Sequence, residues 1–236
     1  MTHFRMKPAR RLLIVAFALL SRQAYGGPIF YNAADDFSTA GNPNGVWSYG
    51  WSPTLGGNLT PYIGHTTSFT LDVWRDQIDP NVSHNGSGLQ LNTGFAVWAN
   101  NQMAFHPGPN GEYSVIRWTA PQAGFVSLTT MFSGLDFVGP TTTDVHVLLN
   151  GTSLFDAVVE CYLNTSTFTT ARSVASGETI DLVVGFGSNQ NYFNDSTGVD
   201  SVIAFTAVPE PSGITLLGLG VLGLTCYGRR SRKHRQ

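Results

Sequence analysis

Between Gly27 and Ala207 the apolar positions fall in short runs rich in Val, Thr, Phe and Trp, separated by clusters of Gly, Asn, Ser and Pro. No stretch of that region keeps a 3.6-residue period long enough for a helix, so the pattern is one of strands and turns. It predicts strands at 46–51, 67–74, 94–98, 102–106, 113–119, 124–132, 143–149, 153–160, 167–174, 179–186 and 200–206. In the run from Thr179, Ile180, Leu182, Val184 and Phe186 share one face. Asn150-Gly151 between two apolar runs is the strongest turn signal, because a two-residue hairpin loop wants φ > 0 at both positions. Roughly ten strands without helical crossovers favour two packed antiparallel sheets, an all-β sandwich.

Two segments depart from this pattern. Leu12–Leu20 is an apolar core behind Arg5, Lys7, Arg10 and Arg11, followed by Ala24, Tyr25 and Gly26, a small-x-small cleavage signal. Residues 1–26 therefore read as a helical signal peptide, cut by signal peptidase after Gly26. Near the other end, Ser212–Tyr227 carries no charge, follows Pro209, Glu210 and Pro211, and precedes a tail holding Arg229, Arg230, Arg232, Lys233 and Arg235. Sixteen residues of helix reach about 24 Å, a little short of a roughly 30 Å hydrocarbon core. Thinning of the bilayer and snorkelling of the arginines would close the gap. The basic tail fixes it as a C-terminal transmembrane helix with everything upstream outside the cytoplasm.

The order of Pro-Glu-Pro element, short Gly/Leu-rich span and Arg-rich end resembles the PEP-CTERM sorting signal of Gram-negative bacteria. That resemblance implies recognition of Pro209, Glu210 and Pro211 by an exosortase, removal of the span, and delivery to the cell surface or extracellular matrix. The chain thus divides into a signal peptide (1–26), a β-sandwich ectodomain (27–207) and a sorting segment. The segment comprises the motif at 208–211, the span at 212–227 and the tail at 228–236.

Removing the two ends changes the electrostatics. Residues 27–208 hold only Arg75, Arg117 and Arg172, and no lysine, against fourteen carboxylates, a net charge of −11. Such a body has no positive surface to displace counterions from phosphates, which excludes nucleic acid as a partner. Cys226 falls in the span and Cys161 stands alone, so disulfides do not staple the ectodomain. Cys161, between Val159 and Leu163, reads as a small buried hydrophobe.

From Tyr113 onward the succession of strands and turns, through Arg117–Gly124, Thr143–Gly151 and Ser176–Leu182, resembles jelly-roll domains of the carbohydrate-binding-module and galactose-binding-like type. Trp47, Tyr49 and Trp51 alternate with small residues and so share a face. Exposed, that row would stack on sugar rings; buried, it is a core layer, the reading that also suits Trp74, Trp98 and Trp118. Asp72, Asp76 and Asp79 form the densest acidic cluster but no paired set on one strand, and no Gly-x-Ser-x-Gly elbow occurs, so catalysis is not expected. His65, His84, His106 and His146 lack metal-ligand spacing, and His146 should face solvent or a polar groove. No cofactor is required. Jelly-roll modules of the resembling type often hold a structural calcium where first and last strands meet, which would place Asp36 and Asp200 at such an ion, with help from Asp35, Asp195 or backbone carbonyls.

The expectation from sequence is an exported, surface-sorted, non-catalytic β-sandwich with a structural or adhesive role. A module binding surface or matrix polysaccharide is the alternative, and a secreted hydrolase a more distant one.

Overall fold

The computed structural model describes residues 27–208. The signal peptide with Ala24 and Gly26, the Pro209–Pro211 element and the apolar span lie outside the described residues. Sixteen strands make up the body. The first nine are β1 (Ile29–Asn32), β2 (Trp47–Ser52), β3 (Thr60–Pro61), β4 (His65–Ser68), β5 (Leu71–Trp74), β6 (Asn81–His84), β7 (Leu91–Asn92), β8 (Val97–Trp98) and β9 (Met103–His106). The remaining seven are β10 (Tyr113–Thr119), β11 (Gly124–Gly134), β12 (Thr143–Leu149), β13 (Thr152–Val159), β14 (Thr165–Val174), β15 (Thr179–Gly185) and β16 (Thr197–Ala207). There is no helix among the described residues, hence none long and apolar enough to cross a membrane.

Two antiparallel sheets carry the fold. One has eight strands in the order β14-β11-β16-β9-β6-β5-β4, with β1 also paired to β16; the other has six, in the order β13-β12-β15-β10-β2-β3. From β9 onward the chain alternates between them except at the β12–β13 hairpin, so that β9-β16-β11-β14 faces β10-β15-β12-β13. That succession is the double Greek key of a jelly roll. A two-stranded β7–β8 ribbon stands apart.

Side-chain alternation explains why these strands face each other. Along β11, Val126, Leu128, Thr130 and Phe132 are buried while Phe125, Ser127, Thr129 and Met131 are exposed. β15 turns Ile180, Leu182 and Val184 into the same core, but Phe186 falls just past the strand end and covers Gly111 instead. The outer side of β15 is also covered: Asp181 takes a bidentate pair from Arg117 at 2.7 and 2.8 Å, and Val183 packs with Val115, Leu148 and Leu59. The sandwich interior is aromatic. Trp118 packs against Tyr31 and Phe205, each with ring centroids 5.9 Å away, and Tyr49 stacks on Trp74 at 6.2 Å.

The structure corrects three expectations. The predicted strand at 67–74 is a hairpin, β4–β5, because Phe69 and Thr70 both adopt positive φ (51° and 70°) and reverse the chain. Neither is a Gly or Asn, so the turn carries no compositional mark. β6 was not predicted, since Asn81-Val82-Ser83-His84 is polar at three of four positions, yet it lies inside the large sheet between β5 and β9. Cys161 is exposed rather than buried, because β13 ends at Val159 and leaves it in the loop before β14. The Asn150-Gly151 turn is as predicted, with φ of 50° and 78° and Leu149 opposite Thr152.

Candidate functional site

The aromatic row on β2 is divided by the depth of the core. Trp47 and Tyr49 are 1% and 0% exposed, enclosed by Trp118, Phe37 and Trp74. They are unavailable to a ligand, which corrects their assignment as binding residues. Trp51 differs because its end of the sheet is thinly filled. Its partners across the ladder are the small side chains of Ser114 on β10 and Thr60 on β3. There the two sheets are joined by polar contacts: Ser114 Oγ donates to the Asn81 carbonyl at 2.7 Å and lies 3.4 Å from the Tyr62 hydroxyl. Where large apolar side chains stop, a cleft of about 290 Å³ opens.

Half-buried Trp51 and buried Tyr62 line this cleft, with Asp76, Gln77, Asp79 and Pro80 from the β5–β6 loop and Pro109, Asn110 and Glu112 from the β9–β10 loop. Each carboxylate is fixed by neighbours. Asp76 Oδ1 accepts the backbone N–H groups of Ile63 (2.8 Å) and Gly64 (2.9 Å). Asp79 Oδ1 accepts from Asn81 Nδ2 at 2.8 Å and lies 3.2 Å from His106 Nδ1. Glu112 accepts the backbone N–H and the side-chain amide of Asn110, at 2.9 and 2.8 Å. Burial pushes the Glu112 carboxyl up, but these hydrogen bonds outweigh it and hold the group below the usual carboxylate range. The Tyr62 phenol is pushed up by burial, eased by Ser114, and pushed further by Asp76, Asp79 and Glu112. One hydroxyl therefore feels all three carboxylates. Among the described residues the lining contains no lysine or arginine.

The other site residues are placed differently. β1 does pair with β16, and the Ala33 N–H donates to the Ser201 carbonyl at 3.0 Å, so the segments holding Asp36 and Asp200 do meet. The Asp36 carboxylate accepts from the Asn32 backbone and from Trp47 Nε1, both at 3.0 Å. Asp200 is exposed on β16 opposite Met131, while Asp35 accepts from Asn101 at 2.6 Å. Among the described residues no three His, Cys, Asp or Glu side chains are grouped to hold a metal ion.

Two further features escaped the sequence reading. A second cavity of about 260 Å³ adjoins the large sheet, lined among others by Leu71, Val73, Phe95, Trp98 and Asp136. Asp136 is 2% exposed, and burial raises its carboxyl above the usual range although the Ser196 N–H donates to it at 2.6 Å. On the six-stranded sheet, His146 Nε2 donates to Asp144 at 2.8 Å and Nδ1 to Asp156 at 2.6 Å. Burial lowers the His146 pKa, but the two carboxylates prevail and raise it above the ordinary imidazole value. A bulge at Val147–Leu148 brings Asp156 opposite His146, a shift that strict hairpin counting from Asn150-Gly151 misses.

Residues 207–233 match the PEP-CTERM protein-sorting motif, so the chain carries an exosortase sorting signal and is exported and sorted to the cell surface. No curated protein matches the sequence. Among solved structures, a CBM51 module from a Clostridium perfringens GH95 protein, in complex with methyl-galactose, is similar at 12% identity, covering 61% of this chain and 94% of that one with a TM-score of 0.36. Tandem CBM51 modules of a Streptococcus pneumoniae family 98 glycoside hydrolase are similar at 13% identity over 62% of this chain and 48% of theirs, TM-score 0.39. A family 35 carbohydrate-binding module from Clostridium thermocellum is similar at 15% identity over 77% and 100%, TM-score 0.30.

Proposed function

We propose that the protein is a non-catalytic, polysaccharide-binding component of the cell surface or extracellular matrix, with an adhesive role. It is exported through the segment removed at Gly26, held briefly in the inner membrane by 212–227, and released by processing at Pro209–Pro211. The observation that carries the binding reading is the Trp51 cleft. An aromatic plane at the side of a concave site, ringed by carboxylates and amides that the chain itself holds in place, suits a sugar ring, whose C–H face stacks while its hydroxyls donate. The non-catalytic reading draws on the same residues. A glycosidase needs one carboxyl raised to act as an acid, and Glu112 is held low.

A glycan array with the full chain in mild detergent, with and without calcium, tests this against Trp51→Ala. Binding to a defined set of glycans that Trp51→Ala abolishes is the expected result. Retention of the whole set by Trp51→Ala would remove the cleft from the account, and release of reducing sugar from any bound glycan would overturn the non-catalytic reading.

A further inference from the structure

The charge of the cleft narrows its ligand further, on the premise that it binds glycan at all. We propose that the cleft selects a cationic sugar, the protonated amino sugar of a deacetylated glucosamine polymer, over neutral sugars and uronic acids.

Three observations carry this. Asp76 Oδ1 and Asp79 Oδ1 are occupied by protein donors, whereas the Oδ2 atom of each accepts no hydrogen bond from the described residues. Two carboxyl oxygens on cleft-lining residues are thus left without a protein donor, and a hydrogen bond from an ammonium to a carboxylate is roughly twice as strong as a neutral one. Second, Trp51 lines the same cleft, and an indole is the best aromatic partner for a cation. Third, among the described residues no lysine or arginine lines the cleft to neutralise its carboxylates. Among the described residues His106, whose Nδ1 lies 3.2 Å from Asp79 Oδ1, is the basic side chain in contact with them. A uronate would bring a fourth negative charge to this group, and an N-acetylated sugar would bring a bulkier amide with no charge to trade. The raised Tyr62 phenol agrees with a shared negative field inside the cleft. The body as a whole, at −11, would draw a polycation toward it over a longer range.

That long-range attraction sets the control. Titrations of the full chain in mild detergent would compare a glucosamine oligomer, its N-acetylated counterpart and a glucuronate oligomer, at a pH where the amine is protonated. The glucosamine oligomer should bind on the order of ten-fold tighter than the acetylated one, as expected for one charge-assisted contact. Asp76→Asn with Asp79→Asn should erase the preference, and Glu160→Gln, which removes an exposed charge elsewhere, should leave it intact. Each single cleft variant is read as well, so that a folding defect in the pair does not hide the result; either alone should reduce the preference. Equal affinity for acetylated and deacetylated oligomers, with both lost in Trp51→Ala, would overturn the cation proposal and leave glycan binding standing. A preference reduced equally by Glu160→Gln would overturn it too, assigning the effect to diffuse charge. No binding to any oligomer here or on the array would end both readings.

Discussion

The body has two unequal halves. Up to His106 its strands are two to six residues long; from Tyr113 onward they run seven to eleven. The later half supplies seven of the eight strands of the jelly roll, and its ladders pair over most of their length. The earlier half, with the loop that joins it to Tyr113, supplies the described residues that line the Trp51 cleft. Long, mutually paired strands leave no space at their surface, whereas short strands joined by loops at the sandwich edge do. On the proposed function, stability and recognition would thus fall to different stretches of the same sandwich.

Substitutions can test that division. The largest effect should come from Trp118→Ala, which empties the contact between Tyr31 and Phe205 in the centre of the regular half. Truncating a fully buried Trp costs about 3–5 kcal/mol. Denaturant unfolding should show that loss, and a cost under about 1 kcal/mol would mean that the regular half is not the stabilising one. Gly151→Val should cost on the order of 1 kcal/mol or more, because φ there is 78° and a Cβ would meet the Gly56 carbonyl oxygen at 2.8 Å. An unchanged melting temperature would contradict this turn geometry.

Asp195 offers a test through pH. Burial pushes its carboxyl up to about 6, against hydrogen bonds from Thr142 that lower it. The folded state therefore binds this proton more tightly than the unfolded chain, and the group's contribution to stability falls as pH rises from about 4 to about 6. Asp195→Asn keeps an acceptor for the Thr142 N–H and removes the titration. Its melting temperature relative to the parent should rise across that window, and a difference that stays flat with pH would place the titration elsewhere. The smallest change in stability should be that of Trp51→Ala, whose side chain is only half-buried at the thin end of the core. Its unfolding midpoint should stay near the parent's while glycan binding is lost, and a collapse in stability would make Trp51 a core residue like Trp47.

The same division decided what the sequence could say. β10 and β12 occur at their predicted residues because each is a seven-residue run rich in Val, Ile, Leu, Trp and Thr, bounded by Gly, Pro or Asn turn chemistry. In the earlier half, β3 and β7 are two residues long, too short for periodicity to register, and Phe69-Thr70 turns without a turn residue. Trp51 was legible as one of three aromatics on a face. Its separation from Trp47 and Tyr49 was not, since that depends on Ser114 and Thr60 across the ladder. Asp76, Asp79 and Glu112 come from two loops that only the fold brings together. The Asp144–His146–Asp156 cluster depended on a bulge that hydrophobic alternation does not encode.

The position of β16 has a mechanical consequence. It pairs with β11 along its whole length and, on its other side, with β1 and β9. It is also the last strand before the sorting motif. Tension entering at Ala207 along the strand would therefore have to drag β16 past neighbours on both sides at once. Its ladder bonds would be loaded together in shear, not peeled open one after another, so the chain leaves the sandwich through the strand best able to bear a tether.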